Sequence, residues 1–332
     1  MKKYIIVIIA IFFSAKFTYA QTVKEAREYI PVFLSESKEK KIFKSPFQQT
    51  MPFIALKFRS ASVGAKGQIK TFSKDAYNVT TYAVLEGIDS TLLQSITDEF
   101  HKIFIIKLNA AGVNFVDLAK IKATSKYTDF VAAKPAQRYY NHKEYGTSTV
   151  YSQNNEPIFD IPANGFKMLK YQNETGGGIA SLHLTIDFVE FDINVKTVHH
   201  DVFDAANATT TSSAKAIPCI RVSSLWAESV SEGLGSLGAA NSGGFYMSNE
   251  KMDGVLMACN PIYTTYNADV KAYNEQVPEF AKSHRLFGGG PMQLGTFVIT
   301  PEPETFKKAA LDGLTKYADY LVAIIKSYNE GK

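Results

Sequence analysis

Residues able to do chemistry occur in this 332-residue chain mostly without the context that chemistry needs. Gly233-Leu234-Gly235-Ser236-Leu237-Gly238 has the GxGxxG spacing whose amides cradle a pyrophosphate at the amino end of a helix. A helix must follow, and Ala239-Ala240-Asn241-Ser242-Gly243-Gly244 cannot sustain one, so the segment reads as a Gly/Ser loop and implies no cofactor. His199-His200-Asp201, with Asp204 nearby, is the densest set of metal-ligating side chains. Neighbouring residues on a strand project to opposite faces, and no HExxH spacing is present, so no metal is expected. His183 and Asp187 share a strand face but stand roughly 13 Å apart by strand rise, too far to pass a proton. Asp160, Glu174, Asp187 and Glu190 are nominal carboxylates for glycoside hydrolysis, whose acid pair need not be close in sequence. No GxSxG nucleophile elbow exists, and no catalytic residue is assigned.

Two further groups bear on binding and on covalent structure. Tyr139, Tyr140, Tyr145 and Tyr151 crowd a polar stretch. A tyrosine ring wants burial while its hydroxyl wants a partner, so these four are the candidate binding residues, suited to stacking on sugar faces. Cys219 and Cys259 are the two cysteines. In an exported chain an even count permits one disulfide, and two buried free thiols are the alternative.

The elements that must position these groups follow from hydrophobic period. Residues 21–44 form a helical lead-in interrupted by Pro31, loosely attached, with a solvated charge run at Lys38–Lys41. Residues 45–332 form the globular region, with a division into two subdomains open near 135–175. Phe53–Phe58 and Tyr77–Leu85 read as strands, with Gly64 and Gly67 marking a turn between them. Leu92, Ile96, Phe100, Ile103 or Phe104, Leu108 and Ala111 recur at fours and threes on one helix face, which Asp89 or Ser90 caps and Gly112 ends. Val113–Val116 then makes a strand–helix–strand unit, whose two strands can pair in parallel across the helix. Lys134–Phe159 reads as loop or short irregular strands. In the long strand after Gly178, Leu182, Leu184, Ile186 and Phe188 alternate, and then Val189, Phe191, Ile193 and Val195 take the opposite parity. Such a flip marks a β-bulge or a strand leaving one sheet for another. Asp204–Lys215 and Glu228–Gly244 read as flexible polar loops around a strand at Ile217–Trp226. A strand or hairpin at Phe245–Asn260, a strand at Thr296–Thr300 and a helix with Phe306, Ala310, Leu314, Tyr317, Leu321, Ile324 and Tyr328 on one face close the chain. The expected fold is α+β, a mixed, largely antiparallel sheet carrying two long amphipathic helices.

The amino end addresses the protein. Lys2 and Lys3, an apolar run from Tyr4 to Phe13 and small Ala20 before Gln21 make residues 1–20 a cleavable secretory signal. No later apolar run approaches the ~20 residues of a spanning helix, so none is expected after cleavage. The signal holds three lysines and no acid, so its removal lowers the net charge from +4 to +1. A near-neutral surface lacks the clustered positive charge that nucleic acid requires, and that partner is excluded.

The run from Tyr82 to Asp129 (strand, long helix, strand, then a short helix after Asp117) resembles the αβ domain of curli-secretion-type lipoproteins and penicillin-binding-protein activators. The likeness implies a non-catalytic periplasmic scaffold that binds other envelope proteins. The chain lacks those proteins' lipidated cysteine, and its Gly-rich second half has no counterpart in them. The expectation is thus a non-enzymatic, periplasmic or secreted cell-envelope protein binding another envelope protein. The alternatives are a glycan-binding module or glycoside hydrolase using the Tyr-rich loops, and a membrane-associated or pore-related β protein. Mass spectrometry of the exported protein is expected to find Gln21 at its amino terminus; residues 2–20 still attached would overturn the export reading.

Overall fold

The computed structural model describes residues 22–31, 36–44, 49–50, 52–68, 77–129, 134–142, 146–159, 165–199, 208–224, 244–248, 254–274, 276, 278–279 and 292–329. The first elements are α1 (22–29), α2 (Glu36–Phe43), β1 (Gln49–Thr50), β2 (Phe53–Arg59), β3 (Ala61–Gln68) and β4 (Tyr77–Leu85). Next come α3 (Ser90–Ala110), β5 (Phe115–Val116), α4 (Leu118–Lys122), α5 (Ser125–Tyr127), β6 (Gln137–His142), β7 (Gly146–Ser152) and α6 (Gly165–Thr175). The chain ends with β8 (Ala180–His199), β9 (Ala208–Ser223), β10 (Gly244–Ser248), β11 (Gly254–Met257), β12 (Ile262–Thr265), β13 (Ala268–Tyr273), β14 (Met292–Pro301) and α7 (Pro303–Asn329).

The fold is α+β, with mixed, largely antiparallel sheets. The larger sheet runs β11-β10-β8-β2-β7-β6, and β9, paired with β12, follows β10 along the same edge of β8. The smaller sheet runs β13-β14-β4-β3. Two sharp corners carry the chain between the sheets: Ser60 joins β2 to β3, and Tyr266–Asn267 joins β12 to β13. Because β2 lies between β7 and β8, the larger sheet runs straight across the 135–175 stretch.

Helices α3 and α7 cover one face of the larger sheet, as their period predicts. Asp89 accepts from the Leu92 amide at 2.8 Å to cap α3, and Gly112, at φ +88°, ends it. All seven stripe residues of α7 are buried, in one core with Leu56, Phe58, Leu182, Leu184, Ile186, Ile220 and Val222. Removing such apolar surface from water is the main force joining helices to sheet.

The parity flip in β8 has a physical cause. Up to Phe188 the apolar side chains point at the helices; beyond it, Val189, Phe191 and Ile193 point the other way and meet the smaller sheet. A Cβ on Gly64 would come within 2.6 Å of the Phe191 ring. Gly64 is therefore a strand residue at a close approach, not the turn marker that its sequence suggested.

Other expectations need correction. Strands β4 and β5 do not pair: β4 lies parallel to β14 and β5 parallel to β1, so Tyr77–Val116 forms no crossover unit. Of the polar stretch Asp204–Lys215, the part from Ala208 is strand and not loop, because each residue of its Ser/Thr run is paired to β8. In the stretch Lys134–Phe159, β6 and β7 are regular strands paired antiparallel along the whole of β6. Helix α6 is an element that hydrophobic period does not announce, and among its described side chains Tyr171, Gln172 and Thr175 are buried. The amino-terminal helices are docked, not loose. Ala26, Ile30 and Glu39 are fully buried, and Glu39 takes Arg27 at 2.7 and 3.2 Å and the Tyr328 hydroxyl at 2.6 Å. Residues 1–20, Gly233–Gly238 and most of Glu228–Gly244 lie outside the described residues. Among those described, no helix is long and apolar enough to cross a membrane.

His101, on the buried side of α3, gives the fold an acid sensitivity. Burial pushes its imidazole down to about 4; Asp98 opposes the shift and Lys102 adds to it. A folded pKa below the unfolded value means stability that is full above pH 6.5 and is lost as pH falls toward 4. Thermal unfolding across that window is expected to show His101→Leu losing up to about 3 kcal/mol less than wild type. Parallel curves for the two proteins would refute it.

Candidate functional site

On the face of the larger sheet away from α3 and α7, one row of side chains crosses six strands: Tyr140, Ser148, Arg59, Asp187, Arg221 and Tyr263. The adjoining row holds Arg138, Lys57, Thr185 and Ser223. Both rows arise because β2, β8 and β9 are covered on both faces, so their second face is filled by polar groups that must find partners.

Asp187 sits at the centre. Its Oδ1 accepts from the Ser62 hydroxyl at 2.5 Å and the Phe188 amide at 2.9 Å. Its Oδ2 accepts from Arg221 Nη2 at 2.7 Å and lies 3.2 Å from Arg59 Nε. Burial alone would lower the Arg221 guanidinium, but Asp187 and Tyr263 outweigh it and hold it above its usual value. With both oxygens engaged, Asp187 is an anchor among β2, β3, β8 and β9. Lys57, fully buried in the next row, sits 4.7 Å from the Tyr140 ring centre, a cation–π contact.

Beside this anchor the β8–β9 ladder slips. Asp187 pairs with Arg221 and Val189 with Pro218, so Cys219 and Ile220 stand together opposite Phe188. This is a bulge in β9, which bends the strand. Tyr266, at the β12/β13 corner, donates to the Phe188 carbonyl at 2.8 Å and so ties the corner to the bulge. Past that tie the strands part. Between them lies a groove of about 400 Å3 lined by Ala214, Ala216 and Pro218 of β9, Tyr266, Ala268 and Val270 on the β13 side, and Phe297 of β14, with Lys215 and Asn267 at its rim. Its walls are apolar and mostly small, suited to inserted apolar side chains.

The tyrosines chosen from sequence do not converge. Tyr139 is 63% exposed on β6, Tyr140 faces the opposite side over Lys57, and Tyr151 is buried against Phe58. Tyr145 lies outside the described residues. Glu174 accepts from Ser125 N and Oγ at 2.9 and 2.7 Å, Glu190 is exposed, and Asp160 lies outside the described residues. His183 stands two rows from the Asp187 anchor, beside Ala55, and the pair does not meet. Among the described residues no three metal-ligating side chains gather; His199 ends β8, and His200, Asp201 and Asp204 are not described.

Cys219 and Cys259 are free buried thiols, so the disulfide is not formed. Cys219 pairs with Thr265, whereas the Cys259 thiol reaches the Val222 carbonyl at 3.9 Å, three residues further along β9. That offset is roughly 10 Å of strand, beyond disulfide reach. Burial, aided by Glu190 and Asp187, pushes the Cys219 thiol up to about 12, and burial does the same to Cys259. Both therefore stay protonated and unreactive at neutral pH.

Sequence reasoning passed over Arg59, Arg221, Pro218 and Tyr266. The parity flip at Phe188 located the bulge beside all of them, and two arginines in otherwise apolar strands were the available sign of a buried ion cluster.

No protein-family model, curated protein or solved structure matches the chain.

Removing the charge of the anchor tests its role. Asp187→Asn would leave Arg59 buried and Arg221 half-buried beside a neutral amide, and urea unfolding is expected to show a loss of about 3 kcal/mol. Wild-type stability would mean that the two guanidinium groups do not depend on Asp187.

Proposed function

We propose that this is an exported, non-enzymatic cell-envelope protein that works by binding another protein. The observation carrying this reading is the groove at the mouth of the two sheets. Three of the five large apolar side chains exposed among the described residues surround this region: Tyr263 on β12, and Ile217 and Tyr273 on the outer sides of β9 and β13, whose alternate residues line the groove. Exposed aromatics beside an apolar depression are what protein interfaces use as anchors. The secretory signal read at residues 1–20 supports export, and the near-neutral charge after its removal suits a protein partner better than a polyanion.

Ala216→Trp tests the proposal, because the indole fills the groove without touching the Asp187 anchor. Bait protein incubated with envelope extract is expected to retain a partner as wild type and to lose it as Ala216→Trp, with the melting temperature unchanged. Full retention by the variant would refute the groove as the binding surface. Specific retention on a glycan array that Tyr139→Ala or Tyr140→Ala abolishes would replace the protein partner by a carbohydrate.

A further inference from the structure

Between Pro218 and its start at Ala208, β9 has β8 on one edge, and among the described residues no strand pairs with the other. β12 occupies that second edge only along Cys219–Val222 before turning away at Tyr266. The groove is the space β12 leaves, and it is continuous with the position of a paired strand. Had β12 run on in register, Tyr266 would face Pro218 and Ala268 would face Ala216. An open edge of this length is a template for another strand, and here neither a charge nor a proline interrupts it between Ala208 and Ala214.

We infer that the fork between β9 and β13 receives an extended segment of the partner as an added strand on β9, and that this segment reads apolar–acidic–apolar. The inference rests on the protein-binding reading above and specifies its chemistry. Side chains of an added strand alternate, so those opposite Ala214 and Ala216 enter the groove. Both alanines are small and the far wall is Val270 and Phe297, which leaves room for large apolar groups from the incoming strand. The residue between them faces outward beside Lys215, the groove's one lining cation, which has no ion-pair partner among the described residues. A carboxylate at that position completes a cross-strand pair. The strand already on the other edge of β9 shows the same pattern: Val189, Phe191 and Ile193 point inward and Glu190 and Asp192 outward, with Asp192 across from Lys215. An incoming strand of like pattern would match β9 on its free edge as β8 does on its paired one.

The probe is a fluorescein-labelled nonapeptide, Thr-Val-Glu-Val-Thr-Val-Glu-Val-Thr, titrated by anisotropy against the exported protein. Binding is expected, with the Glu-to-Lys version of the peptide weaker by about 5-fold or more. Lys215→Glu is expected to reverse that order, and Ala216→Trp to abolish binding, both with unchanged melting temperatures. Methylating one alternate set of peptide amides should abolish binding and methylating the other set should leave it, since only one set faces β9. Equal binding of both charge versions, or survival of binding with either set methylated, overturns the strand assignment. If the peptides do not bind while Ala216→Trp still strips the partner from the pull-down, strand addition falls and the protein-binding reading stands. If Ala216→Trp leaves that partner bound, the reading itself falls. A dimer in light scattering that Ala216→Trp turns into a monomer would assign the slot to a second copy and overturn a foreign segment.

Discussion

The carboxylate of Asp187 holds together four strands that come from distant parts of the chain. It joins β2 through Arg59, β3 through Ser62 and β9 through Arg221, and it sits on β8 itself. Two of these contacts pair charges, and a charge taken out of water is tolerable only when it keeps its partner. That condition constrains register as well as stability. A slip of one residue in β2 or β8 would turn Arg59 or Asp187 toward α3 and α7 and put an unpaired charge in the apolar core. Hydrophobic alternation on one face and ion pairing on the other therefore demand the same alignment.

The bulge and the groove follow from the place of this anchor. On the near side of Asp187 the larger sheet is packed under helices; on the far side it is packed against the smaller sheet, through Phe191 and Gly64. Strand β9 carries one extra residue at the changeover, and Tyr266 bonds to the carbonyl of Phe188 there. The strands diverge from that point, so the opening between the sheets is a consequence of how the core changes sides. Its small alanine walls leave the opening unfilled by the protein's own side chains.

The helical layer is closed by its own polar contacts. Arg27 and Tyr328 both reach Glu39, and Tyr29 stacks on Tyr320 with ring centres 4.9 Å apart. The Asn260 amide donates to the Tyr29 carbonyl of the same region at 2.6 Å. Helices α1 and α2 are thus bound to α7 and to the segment after β11, which makes the first described residues part of the core's enclosure.

Much of the local structure was legible in the amino-acid order. Helices α3 and α7, the cap at Asp89, the stop at Gly112 and most strands followed from period and end signals, which act within a few residues. The α+β class followed with them, and so did the changeover in β8, because alternation records which face is buried. Pairing was not legible: β4 lies beside β14 and β5 beside β1 although β4 and β5 are neighbours in sequence. Nor was the ion cluster, since Ser62 and Asp187 are 125 residues apart and nothing near either one names the other. The polar run from Ala208 looked like loop because its pairing energy comes from β8 and not from its own composition. Helix α6 escaped for a related reason, as its buried residues gain their value only from what packs on them. Tertiary structure alone decided the strand order, the state of Cys219 and Cys259 and the groove, because each depends on contacts between segments whose separation in sequence carries no local signal.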